Sequence, residues 1–400
     1  MFGQRRVDFM RLAIAHPFLH TKGGAEKVVL KIAQRFDAKI FCTEYDKHRT
    51  YSEFADIDIE TLPHGHIKHV FTLFPKRARE AALAGSQFWG WKAPDEFDVV
   101  NAQGTPSEWV RHRNKPVVWY CHSPNREAFV LYEWRQKQRN IAERAVYHSF
   151  VQMYKHFEFQ TVPKIEHIFA NSETTKERIA KYLHRKDAEV LHPGVDCREF
   201  ECKGYEKFFF YPSRIVPEKR FELAIEAFEK FRKARKAAGG NARRERWKLV
   251  LAGALHRGMK HHSAYYDKLA ELASKDSDIE LLVDISHEQL KDLYARCYAV
   301  LYTPVHEDFG IVPLEGFASR KPVLAWNEGG PREIVQDGKT GYLVNNTNEL
   351  AAKMAYLADR PKLAEQMGKE GRKRAERDFS WEKFLTRFGK VCEKLSRSQA

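Results

Sequence analysis

The sequence predicts an α/β protein of two domains, each built around buried parallel strands. Short apolar runs, such as those at 11–16, 116–121 and 299–302, are each followed by a turn and then a helical pattern. That alternation is how strands covered on both faces connect through crossover helices. A chain of 400 residues can hold two domains of ordinary size, each burying its own core. Its 43% hydrophobic and 13% aromatic content fits a folded protein rather than a disordered one.

In chain order, the run at 11–16 reads as the first strand. Gly23 and Gly24 then open a helix with Val28, Val29, Ile32, Ala33 and Phe36 on its apolar side. Strand, glycine turn and helix offer helix-end amides to a phosphate, so Gly23 and Gly24 are candidates for close approach of a diphosphate or an acceptor. An ordinary tight turn is the plainer reading of the same residues. A second strand covers 39–42. Residues 62–92 interleave aromatics with cations, and Glu80 is their only acid. Such a segment suits either an anionic membrane face or a solvated basic helix beside an aromatic cluster. Strands follow at 98–102 and 116–121, the latter ending at His122, and open α/β sheets bind ligands at the carboxyl ends of their strands. One or two long helices are expected over 127–159, a strand over 165–170, cap-type residues over 171–176 before a helix ending near Leu183, and a strand over 188–191. Residues 196–207 are charged and without periodicity.

The second half opens with a buried strand at 208–212 whose following loop bears Arg214 and Lys219. Taken singly, these two would count as surface cations. A helix is expected over 221–236, a polar surface insert over 237–246, strands over 247–252, 279–283, 299–302, 322–325 and 341–344, and a helix over 287–297. The last helix starts near 379–382.

The stretch 306–330 places Glu307 and Glu315 eight residues apart, across a glycine turn and a helix start. Phe309, Gly310, Ile311 and Val312 lie between them. Pro313 suits a first helical position, and Ile311 and Val312 ahead of it are poor caps. The first helical N–H groups are therefore short of partners and can serve an anion or sugar hydroxyls. On spacing alone the plainer reading is that Asp308 caps this helix and both glutamates are solvated.

The +14 formal charge favours a polyanionic partner, whether nucleic acid, anionic lipid or phosphorylated substrate. Cys42, Cys121, Cys197, Cys202, Cys297 and Cys392 form no C-x-x-C pair, which argues against a zinc framework and suits a reducing cytosol. No apolar run approaches the ~20 residues needed to span a bilayer. The start of the chain, 1–10, reads as a leader too polar for a signal peptide, so the protein is expected to be cytoplasmic, soluble or peripheral on the cytoplasmic membrane face.

E-x7-E, then a buried strand, then G-G-x-x-E, resembles the signature of retaining GT-B glycosyltransferases of the family 4 type. Here these are Glu307, Glu315, Pro322–Ala325, Gly329–Gly330 and Glu333. The Gly23-Gly24-Ala25-Glu26 turn, ANSETTKERI at 170–179 and HPGVD at 192–196 are similar to the same family. The segment from Tyr120 to Pro124 resembles a subgroup that includes O-antigen mannosyltransferases. The resemblance runs from about Arg11 to Phe388. It implies two Rossmann-like doubly wound domains facing each other across a cleft. The first, 11–195, is on the acceptor side, 196–207 is a hinge, 208–377 binds the nucleotide sugar, and 378–400 is a helix crossing back. It implies transfer of a hexose, with mannose the leading guess, to a glycan or lipid-linked acceptor with retention. The donor is GDP-mannose or a UDP-hexose.

By the same resemblance, Glu307 contacts the donor sugar and Glu315 binds the ribose. Arg214 and Lys219 bind the diphosphate, the Phe309–Val312 backbone lies against sugar and diphosphate, and His122 contacts the sugar near its reacting carbon. No cofactor or metal is expected: no D-x-D pair ends a first-half strand, and Arg214, Lys219 and helix-end amides can hold the charge of the departing diphosphate. The family usually has a glycine at or near Asp284, so base recognition is not readable. Two other classes compete. Nucleotide-sugar epimerases share the architecture. A nucleic-acid-binding protein fits the charge, but no helix-turn-helix, zinc finger or RNP-like segment is present.

Overall fold

The computed structural model describes residues 10–63, 76–137, 139–239, 245–255 and 260–398. The leader residues 1–9, the heart of the basic aromatic segment (64–75) and half of the polar insert (240–244) lie outside the described residues. The chain divides into two compact units, one comprising residues up to 193 with those from 384 onward, the other residues 194–383.

The first unit holds seven parallel strands: β1 (Leu12–Leu19), β2 (Lys39–Tyr45), β3 (Ile59–Thr61), β4 (Val99–Gln103), β5 (Val117–Cys121), β6 (His167–Ala170) and β7 (Glu189–Val190). Their order is β3-β2-β1-β4-β5-β6-β7. β4 and β5 are buried along their whole length, because both faces of the sheet are covered. β1 continues through Pro17 to Leu19, beyond the expected end at His16. Past Ala15 it pairs only with β2, so the missing N–H of Pro17 breaks no ladder with β4. β3 was not expected: its three residues are half-buried or exposed and carry no apolar signal. The chain winds out from β1 to β3 and restarts at β4, so the sheet reverses direction between β1 and β4. A crevice opens at such a reversal, at the carboxyl ends of the two strands.

The helical stretch expected over 127–159 is two helices, Tyr132–Lys137 and Ile141–Thr161. They are separated where Asn140 and Glu143 form a reciprocal capping box. The final helix, Trp381–Arg397, contributes its residues from Phe384 onward to this unit. Phe388 is fully buried, its ring centroid 5.8 Å from that of Phe36 and 6.0 Å from that of Phe169. Arg387 donates to both carboxylate oxygens of Glu189, at 2.5 and 2.6 Å.

The second unit holds six parallel strands: β8 (Phe208–Pro212), β9 (Lys248–Gly253), β10 (Ile279–Val283), β11 (Ala299–Tyr302), β12 (Val323–Trp326) and β13 (Gly341–Val344). The order β10-β9-β8-β11-β12-β13 reverses between β8 and β11. Lys260–Ser274, Pro331–Ile334, Thr347–Ala358 and Pro361–Asp378, helices without a counterpart in the sequence reading, belong to this unit. The stretch 196–207 is tied to the second unit by backbone bonds from Lys203 N to Ala295 O and from Glu206 N to Arg296 O, both 2.8 Å.

Truncating Phe388 removes a ring from the centre of the first unit's packing. Phe388→Ala is expected to cost about 3–5 kcal/mol, measured as a lowered denaturation midpoint followed by a probe in the first unit.

Candidate functional site

In the second unit the loops after β8 and β11 leave their strands side by side, at the point where strand order reverses. They are zipped together from within. Tyr211 donates its hydroxyl to the Lys219 carbonyl, Thr303 N donates to the Tyr211 hydroxyl at 3.2 Å, and Thr303 Oγ1 donates to the Arg220 carbonyl at 3.1 Å. Across this seam Lys219 Nζ meets Glu307 Oε2 at 2.5 Å. A second, longer contact of Nζ runs to the Tyr302 hydroxyl at 3.4 Å. Lys219 is 9% exposed, so its charge is compensated mainly by protein groups. The hydroxyl of Tyr302 titrates well above the ordinary range, chiefly through burial and then through the Glu307 carboxylate, while the charge of Arg214 pulls it the other way. Arg214 itself is exposed.

Backbone packing fixes Glu307. Gly329, at φ +66°, and Gly330 lie against the Glu307 and Phe309 backbones so closely that a Cβ on either glycine would overlap main-chain atoms. Gly330 N also donates to Glu307 O at 3.1 Å. The G-G pair therefore acts as a support for the acidic loop.

The helix after that loop is Ile311–Ala318, with Gly310 (φ +89°) as its N-cap and no side-chain cap bond. The plainer expectation that Asp308 caps it is overturned. Pro313 occupies the third helical position, not the first. This costs the helix nothing, because the third N–H has no intrahelical partner in any case. The amides of Ile311 and Val312 head an uncapped helix, with the slight positive end of its dipole beside Glu307 and Lys219. Glu315, one turn further on, accepts from the buried Tyr294 hydroxyl at 2.7 Å. Burial and this carboxylate together push the Tyr294 hydroxyl far up. Asp284, where a glycine was the family expectation, sits at φ +54°, and its carboxylate accepts from Leu255 N at 3.0 Å.

The first unit carries a different, neutral cluster at its own reversal point. His16, in β1 just past its last residue paired with β4, donates from Nδ1 to the Gln103 carbonyl at 2.8 Å. The Gln103 side-chain amide donates to Asn101 Oδ1 at 2.8 Å, and its oxygen lies 3.1 Å from His122 Nε2. That orientation of Gln103 assigns the proton of His122 to Nε2. Burial pushes His122 down to about 3, with His16 adding to the effect; burial also lowers His16, against the pull of Glu26. Glu26 is held by Thr21 Oγ1 at 2.6 Å in the glycine turn. Gly23 is the N-cap of the helix Gly24–Phe36 and makes no side-chain cap bond. A Cβ on Gly24 would meet nothing within 4 Å, so no packing within the protein demands glycine there.

Of the residues singled out from sequence, Lys219, Glu307 and the 309–312 backbone come together in the second unit. Arg214 is close enough to act on Tyr302, and Glu315 follows one helical turn on. Gly23, Gly24 and His122 belong to the first unit. Sequence reasoning missed His16, Asn101, Gln103, Tyr302, Tyr294 and Arg220. His16 and Gln103 had a usable signal, since His16 closed the strand expected at 11–16 and Gln103 directly followed the one expected at 98–102; Tyr294 had none. Among the described residues no group of three acidic, histidine or cysteine side chains is arranged to hold a metal ion.

Two doubly wound parallel-sheet units, each with a polar cluster at its reversal point, define the GT-B class of glycosyltransferases. The comparisons with known proteins agree. A model described as Glycosyltransferase Family 4 matches residues 22–199, and one described as Glycosyl transferases group 1 matches residues 198–374. The chain belongs to these glycosyltransferases and is an enzyme of that kind. It is 26% identical over 429 residues to alpha-1,3/1,6-mannosyltransferase ALG2 of Dictyostelium discoideum, covering 96% of this chain and 98% of that one. The human ALG2 is also 26% identical, over 419 residues, covering 95% of each chain. The fold is shared with Anabaena Alr3699/HepE, solved in complex with UDP-glucose, at a TM-score of 0.72, 17% identity, and coverage of 96% of this chain and 100% of that one.

The depressed His122 has a consequence for acid stability. A histidine whose folded pKa lies below its unfolded value of ~6.5 stabilises the fold fully above pH 6.5 and loses that contribution as pH falls toward the folded value. Between pH 7 and 5.5, wild type is expected to lose on the order of 1 kcal/mol more stability than His122→Gln. Denaturant titrations at the two pH values measure the difference.

Proposed function

We propose that this glycosyltransferase moves a hexose, mannose first among candidates, from a nucleotide-diphosphate sugar to a glycan or lipid-linked acceptor, with retention and without a metal ion. The observation that carries the reading is the Lys219–Glu307 pair beside an uncapped helix start at the second sheet's reversal point. Breaking the donor's anomeric bond leaves negative charge on the diphosphate and an oxocarbenium-like sugar. Lys219 has three N–H donors. Glu307 and Tyr302 engage two, and the third is available to a phosphate oxygen. Arg214, exposed and near Tyr302, adds a second cation, and the 309–312 amides add dipoles. Glu307, held by Lys219, accepts from sugar hydroxyls, and Glu315, oriented by Tyr294, accepts from the ribose.

In the first unit, Gly23 and Gly24 admit close approach of the ligand. His122, neutral near pH 7, meets the sugar close to the reacting carbon. Its Nε2 is engaged by Gln103, so any new contact is made by the rest of the ring or by its main chain. Mannose is favoured because the near-full-length relatives are named alpha-1,3/1,6-mannosyltransferases. The donor is accordingly GDP-mannose, with a UDP-hexose as the competitor. Retention is the outcome that membership of the family 4 type implies.

Removing Glu307 outright leaves the buried Lys219 ammonium without its partner, so the informative variant is Glu307→Gln. It is expected to abolish transfer while melting near the wild-type temperature. Arg214→Ala is expected to slow transfer on the order of a hundredfold or more: one charge at 4 Å and an effective dielectric near 20 is worth about 4 kcal/mol, roughly a thousandfold in rate, and the exposure of Arg214 reduces it. Product formation from GDP-mannose and from UDP-glucose measures both, and near-normal turnover in Glu307→Gln refutes the reading.

Peripheral docking on the cytoplasmic face of an anionic membrane is part of the proposal. It is supported by Ile141 at 85%, Val146 at 56% and Trp134 at 51% exposure, with Arg135 and Arg144 on the same two helices and Arg139 in the turn between them. Exposed apolar side chains beside cations suit a lipid interface. No helix among the described residues is long and apolar enough to cross a membrane. Flotation with anionic liposomes is expected to carry wild type upward and to leave a Trp134→Ser, Ile141→Ser, Val146→Ser variant behind. Equal flotation with neutral lipid removes the electrostatic part.

A further inference from the structure

Arg220 is the residue after Lys219, and its backbone is left-handed, at φ +51°. His306, the residue before Glu307, is left-handed as well, at φ +53°. Each member of the central ion pair thus adjoins a strained non-glycine position, the kind of strain that persists only where surrounding contacts hold it. At Arg220 those contacts are specific. Its Nε donates to Thr303 O at 2.9 Å, its Nη2 to Pro304 O at 3.3 Å, and its guanidinium lies 4.8 Å from the centre of the Trp326 ring. One side chain therefore joins the loop after β8, the loop after β11 and the end of β12. The end of β12 is itself clipped to the acidic loop, because Glu328 Oε1 accepts from His306 N at 3.1 Å and lies 3.0 Å from His306 Nδ1.

We infer that Arg220 is a positioning residue: its guanidinium fork holds the 303–306 loop in the register that sets Glu307 on Lys219. This rests on the reading of Lys219 and Glu307 as donor-binding groups. Arg220 touches no reacting atom in this scheme. A planar fork with a flat face suits two carbonyls and one indole at once, which an ammonium does not. Thr303 and Pro304 lead directly to Glu307, so a loop released from Arg220 keeps its chemistry and loses its aim.

The test uses the full chain and three variants. Arg220→Gly removes the fork and accepts the left-handed backbone, so it is expected to melt within a few degrees of wild type. Its kcat is expected to fall by about tenfold or more with a smaller change in donor KM, the pattern of an aligning interaction realised in the transition state. Added guanidinium ion, at millimolar and non-denaturing concentration, is expected to restore part of kcat in Arg220→Gly and to leave wild type unchanged. Arg220→Lys is expected to fall between the two. Wild-type kcat in Arg220→Gly overturns the inference, as does a loss that guanidinium does not relieve. Should Arg220→Gly fail to fold, Arg220→Asn tolerates the same backbone, also lacks the fork, and is judged by the same two outcomes. Turnover surviving in Glu307→Gln would instead remove the donor-site reading beneath it, so the two failures are distinct.

Discussion

The ion pair between Lys219 and Glu307 is the contact on which the second unit's polar site depends. Lys219 is buried and Glu307 half-buried, and removing either charge leaves the other poorly compensated. The fold meets that requirement with neighbours whose own positions are fixed. Tyr211 holds the Lys219 carbonyl, Tyr302 lies beside the ammonium, and a backbone-on-backbone contact at Gly329 and Gly330 supports the Glu307 loop. Little reorganisation remains when a charged ligand arrives, and preorganised dipoles and charges are what stabilise developing charge efficiently.

The first unit answers the same topological situation with neutral groups. Its reversal point carries His16, Asn101, Gln103 and His122 in one hydrogen-bonded chain, and burial lowers both histidines. A chain of neutral donors and acceptors is suited to reading hydroxyl groups, whereas a cationic seam with free helix-end amides is suited to phosphate.

Much of the fold was legible because a parallel strand covered on both faces must be apolar throughout. Phe208–Pro212, Val117–Cys121 and Ala299–Tyr302 were recognisable on that ground alone. β3 was not, since an edge strand with half-exposed residues has no such requirement. Helix starts were harder. Pro313 is compatible with any of the first helical positions, so its presence could not show that the helix begins two residues earlier, and Asp308 had the chemistry of a cap without the place of one.

The candidate site divides in the same way. Glu307, Glu315, Arg214, Lys219 and the glycines were singled out in the chain through their resemblance to family motifs, since taken singly they read as solvated or surface groups and an ordinary turn. Their partners were not. Tyr294 reaches Glu315 from a helix 21 residues earlier, and Arg220 reaches Thr303 across 83 residues. The sequence by itself determined the two-sheet class, since periodicity is a property of the chain, and its motifs carried the resemblance to the glycosyltransferase family. Only the tertiary structure decided which side chains orient those motifs, because strand order at each reversal point brings together loops far apart in sequence, and no local pattern records that meeting.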